Sequence, residues 1–320
     1  MSETHRSQSN NERIENSENQ HRRVVIENSH GEKLVGVLQD TGSTETVVIC
    51  HGFQSSKDRI PMRTIANVFE SAKITTFRFD FAGNGWVNEV YLLLIMKCML
   101  LALLMFMSFF RESQGSFQYG NYRREAEDLR SVLQHLRGEN RVISAIIGHS
   151  KGGNVVLLYA AKYKDVEIVV NISGRFFLER GIEGRLGKDY LKRIKENGFI
   201  DVRNRKGKFE YRVTEESLKD RLTTNTHEAC LSIHENCRVL TVHGSDDRIV
   251  SVTEASEFAK YIKNHKLCLI EGADHEFTSH QHQLASTVLS FFKKDDDNDG
   301  VVSTSDQVPM RSVVPFTSRI

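Results

Sequence analysis

At 320 residues, with 39% apolar and 27% charged residues and three prolines, the chain has the make-up of one good-sized globular domain with tails. Its 43 basic and 42 acidic residues leave a formal net charge of +1, which excludes the one-signed field of a nucleic-acid or lipid-surface binder. Five cysteines are an odd number, and Cys50 and Cys268 sit inside apolar strand-like runs, so a reducing, cytoplasmic compartment is expected rather than a disulfide framework.

Residues 1–22 are polar, carry several glutamates and lack an apolar signal core, so they read as a disordered tail. From Arg23, "RRVVIENSHGEKLVGVLQD" predicts two strands around a Ser-His-Gly turn, and "ETVVICHG" a short buried strand. "MRTIANVFESA" has helical spacing, "KITTFRFDF" is a strand, "NYRREAEDLRSVLQHLR" is an amphipathic helix, and "RVISAIIGHS" is again a strand. A helix over 151–163, the strands "EIVVNIS" and "RVLTVHG", a helix over 253–263, the strand "KLCLIEG" and a helix ending near Phe292 follow. Apolar strands alternating with helices predict a mostly parallel α/β sheet covered on both faces, with the first hairpin strand antiparallel at its edge. Residues 175–237 break the rhythm. They hold a helix-like "LGKDYLKRIKENG" and the runs "FIDVR" and "KFEYRV" around "NRKG", so they read as an inserted cap with its own hairpin. Residues 294–320 form an acidic tail.

"GHSKGG" places Ser150 in a Gly-x-Ser-x-Gly frame between a buried strand and a helix. That context suits a nucleophile elbow, a turn so tight that Gly148 and Gly152 must be small, with a helix N-terminus beneath the serine. A serine of ordinary acidity needs a base and an orienting carboxylate. "RVLTVHGSDDRIV" ends one strand with Asp246 and Asp247, and "KLCLIEGADHEF" ends the next with His275. These positions fall at the C-terminal edge of a parallel sheet, where open α/β sheets place ligands. The competing readings are a loop histidine capping the last helix, a turn-capping carboxylate, and spacing alone does not choose between the acids. The amides of Phe53, after the strand ending in His-Gly, and of Lys151, after the serine, are the candidate oxyanion donors; "HGF" as a plain strand-ending turn is the alternative.

In this order, "HGF", "GHSKGG", "HGSDDRIV" and "GADHEF" resemble the α/β-hydrolase superfamily, and closely its plant and bacterial esterase branch labelled serine aminopeptidase S33-like or cinnamoyl (feruloyl) esterase-like. The resemblance covers residues 23–293. It implies the α/β-hydrolase fold, Asp247 as the acid in a Gly-Ser-x-Asp frame, a cap that shapes the acyl pocket, and no cofactor or metal. The activity it implies is cleavage of a small-molecule carboxylic ester by Ser150, His275 and Asp247 through an acyl-enzyme, with peptidase chemistry left open. A slow or non-catalytic ligand receptor on the same fold is the alternative, and oligomeric state is left open.

Two further patterns invite metal. His227, Cys230, His234 and Cys237 are spaced for zinc, but four ligands in a row along one helix face do not converge on a tetrahedral ion, so a packed helix before "RVLTV" is expected. "DDDNDGVVSTSD", with Asp295, Asp297, Asp299, Gly300 and Asp306, fits a calcium-loop frame without an exiting helix, since Pro309 and Pro315 follow, and reads as acidic tail.

The anomaly is Leu92 to Phe110, nineteen residues long and interrupted in charge only by Lys97. Its length suits a membrane span. A single crossing there would put two halves of one sheet on opposite sides of a bilayer, so no stable span is expected. Of the 26 residues from Trp86 to Arg111, 17 are Phe, Leu, Ile, Met or Val, all encoded with U in the middle position. They also hold four of the seven methionines and the only tryptophan. The segment therefore reads as a retained intron, the alternatives being an apolar lid or an interfacial anchor that would bring membrane association.

Overall fold

The structure, a computed structural model, describes residues 21–85 and 111–293. Both tails, the apolar run, Cys98 and the calcium-like frame lie outside the described residues. Among the described residues no helix is long and apolar enough to cross a membrane.

Strands β1 (His21–Glu27) and β2 (Lys33–Gln39) form the first hairpin, so the first strand starts at His21 rather than Arg23. Strand β3 (Glu45–Cys50), helix α1 (Ile60–Ser71), β4 (Thr75–Phe79), α2 (Tyr122–Gly138), β5 (Val142–His149), α3 (Lys151–Tyr163) and β6 (Ile168–Ile172) then alternate. Next come α4 (Ile182–Leu186), α5 (Tyr190–Asn197), β7 (Phe199–Arg203), β8 (Phe209–Thr214), α6 (Glu215–Thr223) and α7 (Thr226–Ser232). The domain closes with β9 (Arg238–Gly244), α8 (Thr253–Tyr261), β10 (His265–Ile270) and α9 (Gln281–Lys293).

Eight strands make one sheet in the order β1-β2-β4-β3-β5-β6-β9-β10, parallel from β4 through β10, while β7 and β8 form a separate hairpin. The reversed strand is β2, one in from the edge, because it opposes both β1 and β4; the edge strand β1 runs with the parallel set. Gly36 permits that pairing, since a Cβ there would lie 2.2 Å from the Phe77 ring.

The parallel strands are buried on both faces and sort their side chains with a period of two. Val48, Cys50 and Ile146 join one apolar layer with Leu129 and Val132 of α2, Val155 of α3 and Phe258 of α8. Val47, Ile49 and Ile147 face the other way, against Ile65 and Phe69 of α1 and Leu284 and Val288 of α9. Each such side chain contributes on the order of 1.5–3 kcal/mol by leaving water. A third, smaller cluster belongs to the cap: Ile182, Leu186, Ile194, Ile200, Tyr211 and Val213 pack over Tyr119, with Phe53 against them. The cap thus sits on the C-terminal edge of the sheet, above β3 and β5.

Candidate active site

Ser150 links β5 to α3 with φ 54° and ψ −118°, a strained conformation for a residue with a Cβ. Its amide donates to the Ile172 carbonyl of β6 at 2.7 Å, which ties the turn to the neighbouring strand. The glycines around it are required by space. A Cβ on Gly148 would sit 2.1 Å from the Gly152 carbonyl oxygen, and one on Gly152 would sit 2.5 Å from that of His51. The strained turn lifts the serine hydroxyl clear of the strand at the N-terminus of a 13-residue helix.

His275 follows β10 and reaches back across the sheet edge. Its Nε2 lies 3.0 Å from Ser150 Oγ, and its Nδ1 lies 2.6 Å from Asp247 Oδ2 in the loop after β9. The other carboxylate oxygen of Asp247 accepts the amides of Ile249 and Val250, each at 2.8 Å. Burial would raise the Asp247 carboxyl; hydrogen bonds with His243 and His275, the charge of His275 and the Val250 amide outweigh it and hold the group well below the usual carboxylate range. Asp246 is exposed, and its amide, not its carboxylate, joins the framework by donating to Ala273 O at 3.0 Å. The structure therefore brings Ser150, His275 and Asp247 together and leaves Asp246 outside.

Phe53 and Lys151 flank the serine and line the same cavity as Ser150, about 330 Å³ in volume. The Lys151 side chain pairs with Glu125 of α2 at 2.6 Å, with both groups buried. Burial lifts the Glu125 carboxyl to about 7 against the pull of Lys151. The Phe53 ring instead packs edge-on against Phe117, Tyr119 and Tyr211, joining the core domain to the cap hairpin.

Three supports escaped the sequence reading. His243, the last side chain of β9, donates Nε2–H to Val250 O at 3.0 Å and lies 3.2 Å from Asp247 Oδ2, so it backs the acid from below. His149 donates Nε2–H to the His275 carbonyl at 2.9 Å, and burial, then the neighbouring His275, hold its imidazole at about 4, in the neutral form. Glu254 accepts the amides of Phe176 and Phe177 at 2.9 and 3.0 Å, fixing where the cap leaves the sheet. The only visible signals were two histidines beside glycines at strand ends, in "VHG" and "GHS".

Among the described residues, side-chain atoms of His149, His275 and Glu276 lie within 4.8 Å of one another. Both His275 ring nitrogens and the bonded His149 nitrogen are already engaged by protein groups, so the trio does not suit an ion. The zinc-like pattern does not lie on one helix: α7 ends at Ser232, before His234 and Cys237. Cys230 and Cys237 are buried in the apolar layer under α8, and His227 stacks edge-on against Tyr261 with ring centres 4.2 Å apart. The cysteines Cys50, Cys230, Cys237 and Cys268 are all free.

The family model described as BAAT / Acyl-CoA thioester hydrolase C terminal matches residues 127–276, a span that holds Ser150, Asp247 and His275. No curated protein matches the chain. Among solved structures, the chain is similar to Est1E from Butyrivibrio proteoclasticus with ferulic acid bound, at 19% identity and a TM-score of 0.66, covering 84% of this chain and 97% of that one. It is similar to the Pyrococcus furiosus esterase Pf2001 (20%, TM-score 0.58, 85% and 89% covered). It also resembles mouse alpha/beta hydrolase domain-containing protein 10 (19%, TM-score 0.62, 85% and 99% covered). At such identities the likeness speaks for architecture, and with the sheet order and the elbow between β5 and α3 it gives the chain the α/β-hydrolase fold.

Proposed function

We propose that the protein is a serine hydrolase that cleaves carboxylic esters through an acyl-enzyme. One observation carries this reading: the unbroken hydrogen-bonded chain from Ser150 Oγ through His275 to Asp247, at a strained elbow facing a cavity. In the reaction, Ser150 Oγ attacks the ester carbonyl carbon while its proton passes to His275 Nε2. The carbonyl oxygen, now negative, is held by the amides of Phe53 and Lys151. The tetrahedral adduct collapses, the carbon–oxygen bond to the alcohol breaks, and His275 returns the proton to the departing alkoxide. A water, deprotonated by His275, then attacks the serine ester; the bond from the acyl carbon to Ser150 Oγ breaks, His275 returns the proton to Oγ, and the acid leaves. Asp247 stays ionised throughout, keeps the Nδ1 proton in place and steadies the imidazolium.

Esters are preferred to peptides as substrates because the similar solved structures named above include esterases and the family description names thioesters. The mechanism needs no metal or cofactor. Four free cysteines fit work in a reducing compartment such as the cytoplasm.

The test is turnover of short p-nitrophenyl, hydroxycinnamoyl and acyl-thioester substrates, with covalent capture of the serine by a fluorophosphonate. Ser150→Ala should lower kcat by roughly 10⁶ and abolish labelling, while leaving the folded circular-dichroism spectrum intact. Wild-type protein that binds esters without releasing acid, and resists labelling, would sink the reading and point to a ligand receptor on this fold.

A further inference from the structure

We infer that the cavity beside Ser150 is built to hold an anion, so that the preferred substrates are esters carrying a second group, a carboxylate or a phosphate. This deepens the hydrolase reading and rests on it for the reaction, but not for the binding.

Four arginines, Arg175, Arg185, Arg221 and Arg248, line the cavity of about 330 Å³ together with Ser150 and Lys151, and no aspartate or glutamate lines it. They come from four separate places: the chain after β6, helix α4, helix α6 and the loop after β9. A chain with a net charge of +1 has no general surplus to explain such a gathering.

Two of the five cations are answered within the protein. Lys151 has Glu125 at 2.6 Å, and Arg175 has Glu254 at 3.3 Å. Arg185, Arg221 and Arg248 have no carboxylate within ion-pair distance among the described residues. Arg221 is 8% exposed and held rigidly: it donates to the carbonyls of Leu178 at 2.8 Å and Arg180 at 3.1 Å, with its guanidinium 5.0 Å from the centre of the Tyr119 ring. Arg185 stacks 4.6 Å from the centre of the Phe53 ring, beside a proposed oxyanion donor.

Gathering like charges around a cavity is unfavourable unless something of opposite sign enters. Burial lowers the pKa of the Arg175 guanidinium, Glu254 opposes that, and the charges of Arg221 and Arg185 lower it further. The planar fork of arginine matches carboxylate and phosphate oxygens, which suits this cavity to a charged ester. Its volume, near the low end of ligand sites, limits the substrate to a small one.

The experiment compares kcat/KM for p-nitrophenyl butyrate, the p-nitrophenyl ester of hydrogen succinate, with its carboxylate on the acyl side, and 4-butyryloxybenzoate, with its carboxylate on the alcohol side. One charged ester should be favoured over its neutral counterpart by roughly tenfold to a hundredfold at low ionic strength, and salt should erode the preference. Arg185→Gln and Arg248→Gln, both at exposed positions that do not endanger folding, should reduce that preference at least tenfold. Wild-type protein that cleaves the neutral ester at least as well as both charged ones would overturn the anion site and leave ester hydrolysis standing. If no ester is cleaved, the hydrolase reading fails, and calorimetry of the same esters with Ser150→Ala protein decides the binding question. Tighter binding of a charged ester would support the site, and equal binding would overturn it.

Discussion

Asp246 and Asp247 are adjacent in sequence and opposite in circumstance. Asp247 is buried, receives two amides and touches His275, whereas Asp246 is exposed. Asp247→Asn should therefore lower kcat for ester cleavage by about 10⁴, because an amide in place of the carboxylate leaves the imidazole in the wrong tautomer. Asp246→Asn should change it by less than threefold, within the range of surface substitutions. Steady-state kinetics on the two variants checks this, and the reverse ranking would move the acid by one residue. Ser150, His275 and the pair of acids were legible because each ends a recognisable strand and each is a residue type that nucleophilic chemistry needs. The choice between the acids came only from the family frame, since one residue of spacing carries no physical difference in an unfolded chain. His149 and His243 were not legible as supports: His149 meets the carbonyl of a residue 126 positions away, a contact that exists only once the sheet has formed.

At the scale of elements, the alternation of strand and helix was readable throughout the core, because buried parallel strands and amphipathic helices carry different periods. Helix α6 was not read. Its start is a capping box in which Thr214 and Ser217 exchange hydrogen bonds, both at 3.1 Å, and serine at the third helical position lacks the glutamate that usually marks the motif. The reversed direction of β2 was also hidden, since a hairpin sequence does not say which of its strands will meet β4. The flanks of the apolar run lead to a sharper expectation. The Asn84 carbonyl accepts the Ser113 amide at 3.3 Å, and the Gly83 amide donates to Gln114 O at 2.8 Å. With Trp86 to Arg111 removed, Asn84, Gly85, Glu112 and Ser113 become four consecutive residues already closed by a first-to-fourth hydrogen bond, and Gly85 at φ 91° supplies the positive angle that a type II′ turn needs. Glu112 keeps its ion pair with Lys57, and the loss of Arg111 over the Phe117 ring costs about 0.5–1 kcal/mol. We propose that the deleted chain folds, is more soluble, and has equal or higher esterase activity, with most source transcripts lacking the 26 codons. A deletion that destroys folding, alongside transcripts that all keep the segment, would make the run a genuine part of the protein.

For the whole molecule, the groups buried around the site set how it responds to acid. Burial holds His51 at about 3, His149 at about 4 and His265 at about 4, all below the 6.5 of a free imidazole. His51 shows why: its Nε2 accepts the Phe81 amide at 3.2 Å while Nδ1 donates to Gly52 O at 2.8 Å, an arrangement only the neutral ring can make. A group whose folded value is depressed contributes stability above its unfolded value and loses it as pH falls toward the folded one. Three histidines thus weaken the fold between pH 6.5 and 4. Burial acts in the opposite sense on Glu125, lifted to about 7, and Asp128, lifted to about 6; these carboxyls bind their protons more tightly when folded and favour the fold in the same window. The imidazoles are the larger influence, so unfolding takes up protons between pH 4.5 and 6 and the fold loses stability as the pH falls through that window. Urea titrations at pH 4.5, 5.5 and 6.5 should show the midpoint rising with pH, and Asp128→Asn, which removes one opposing carboxyl, should steepen the rise. A midpoint that falls as pH rises through this range would mean that the buried carboxyls, not the buried imidazoles, govern the response of the fold to acid.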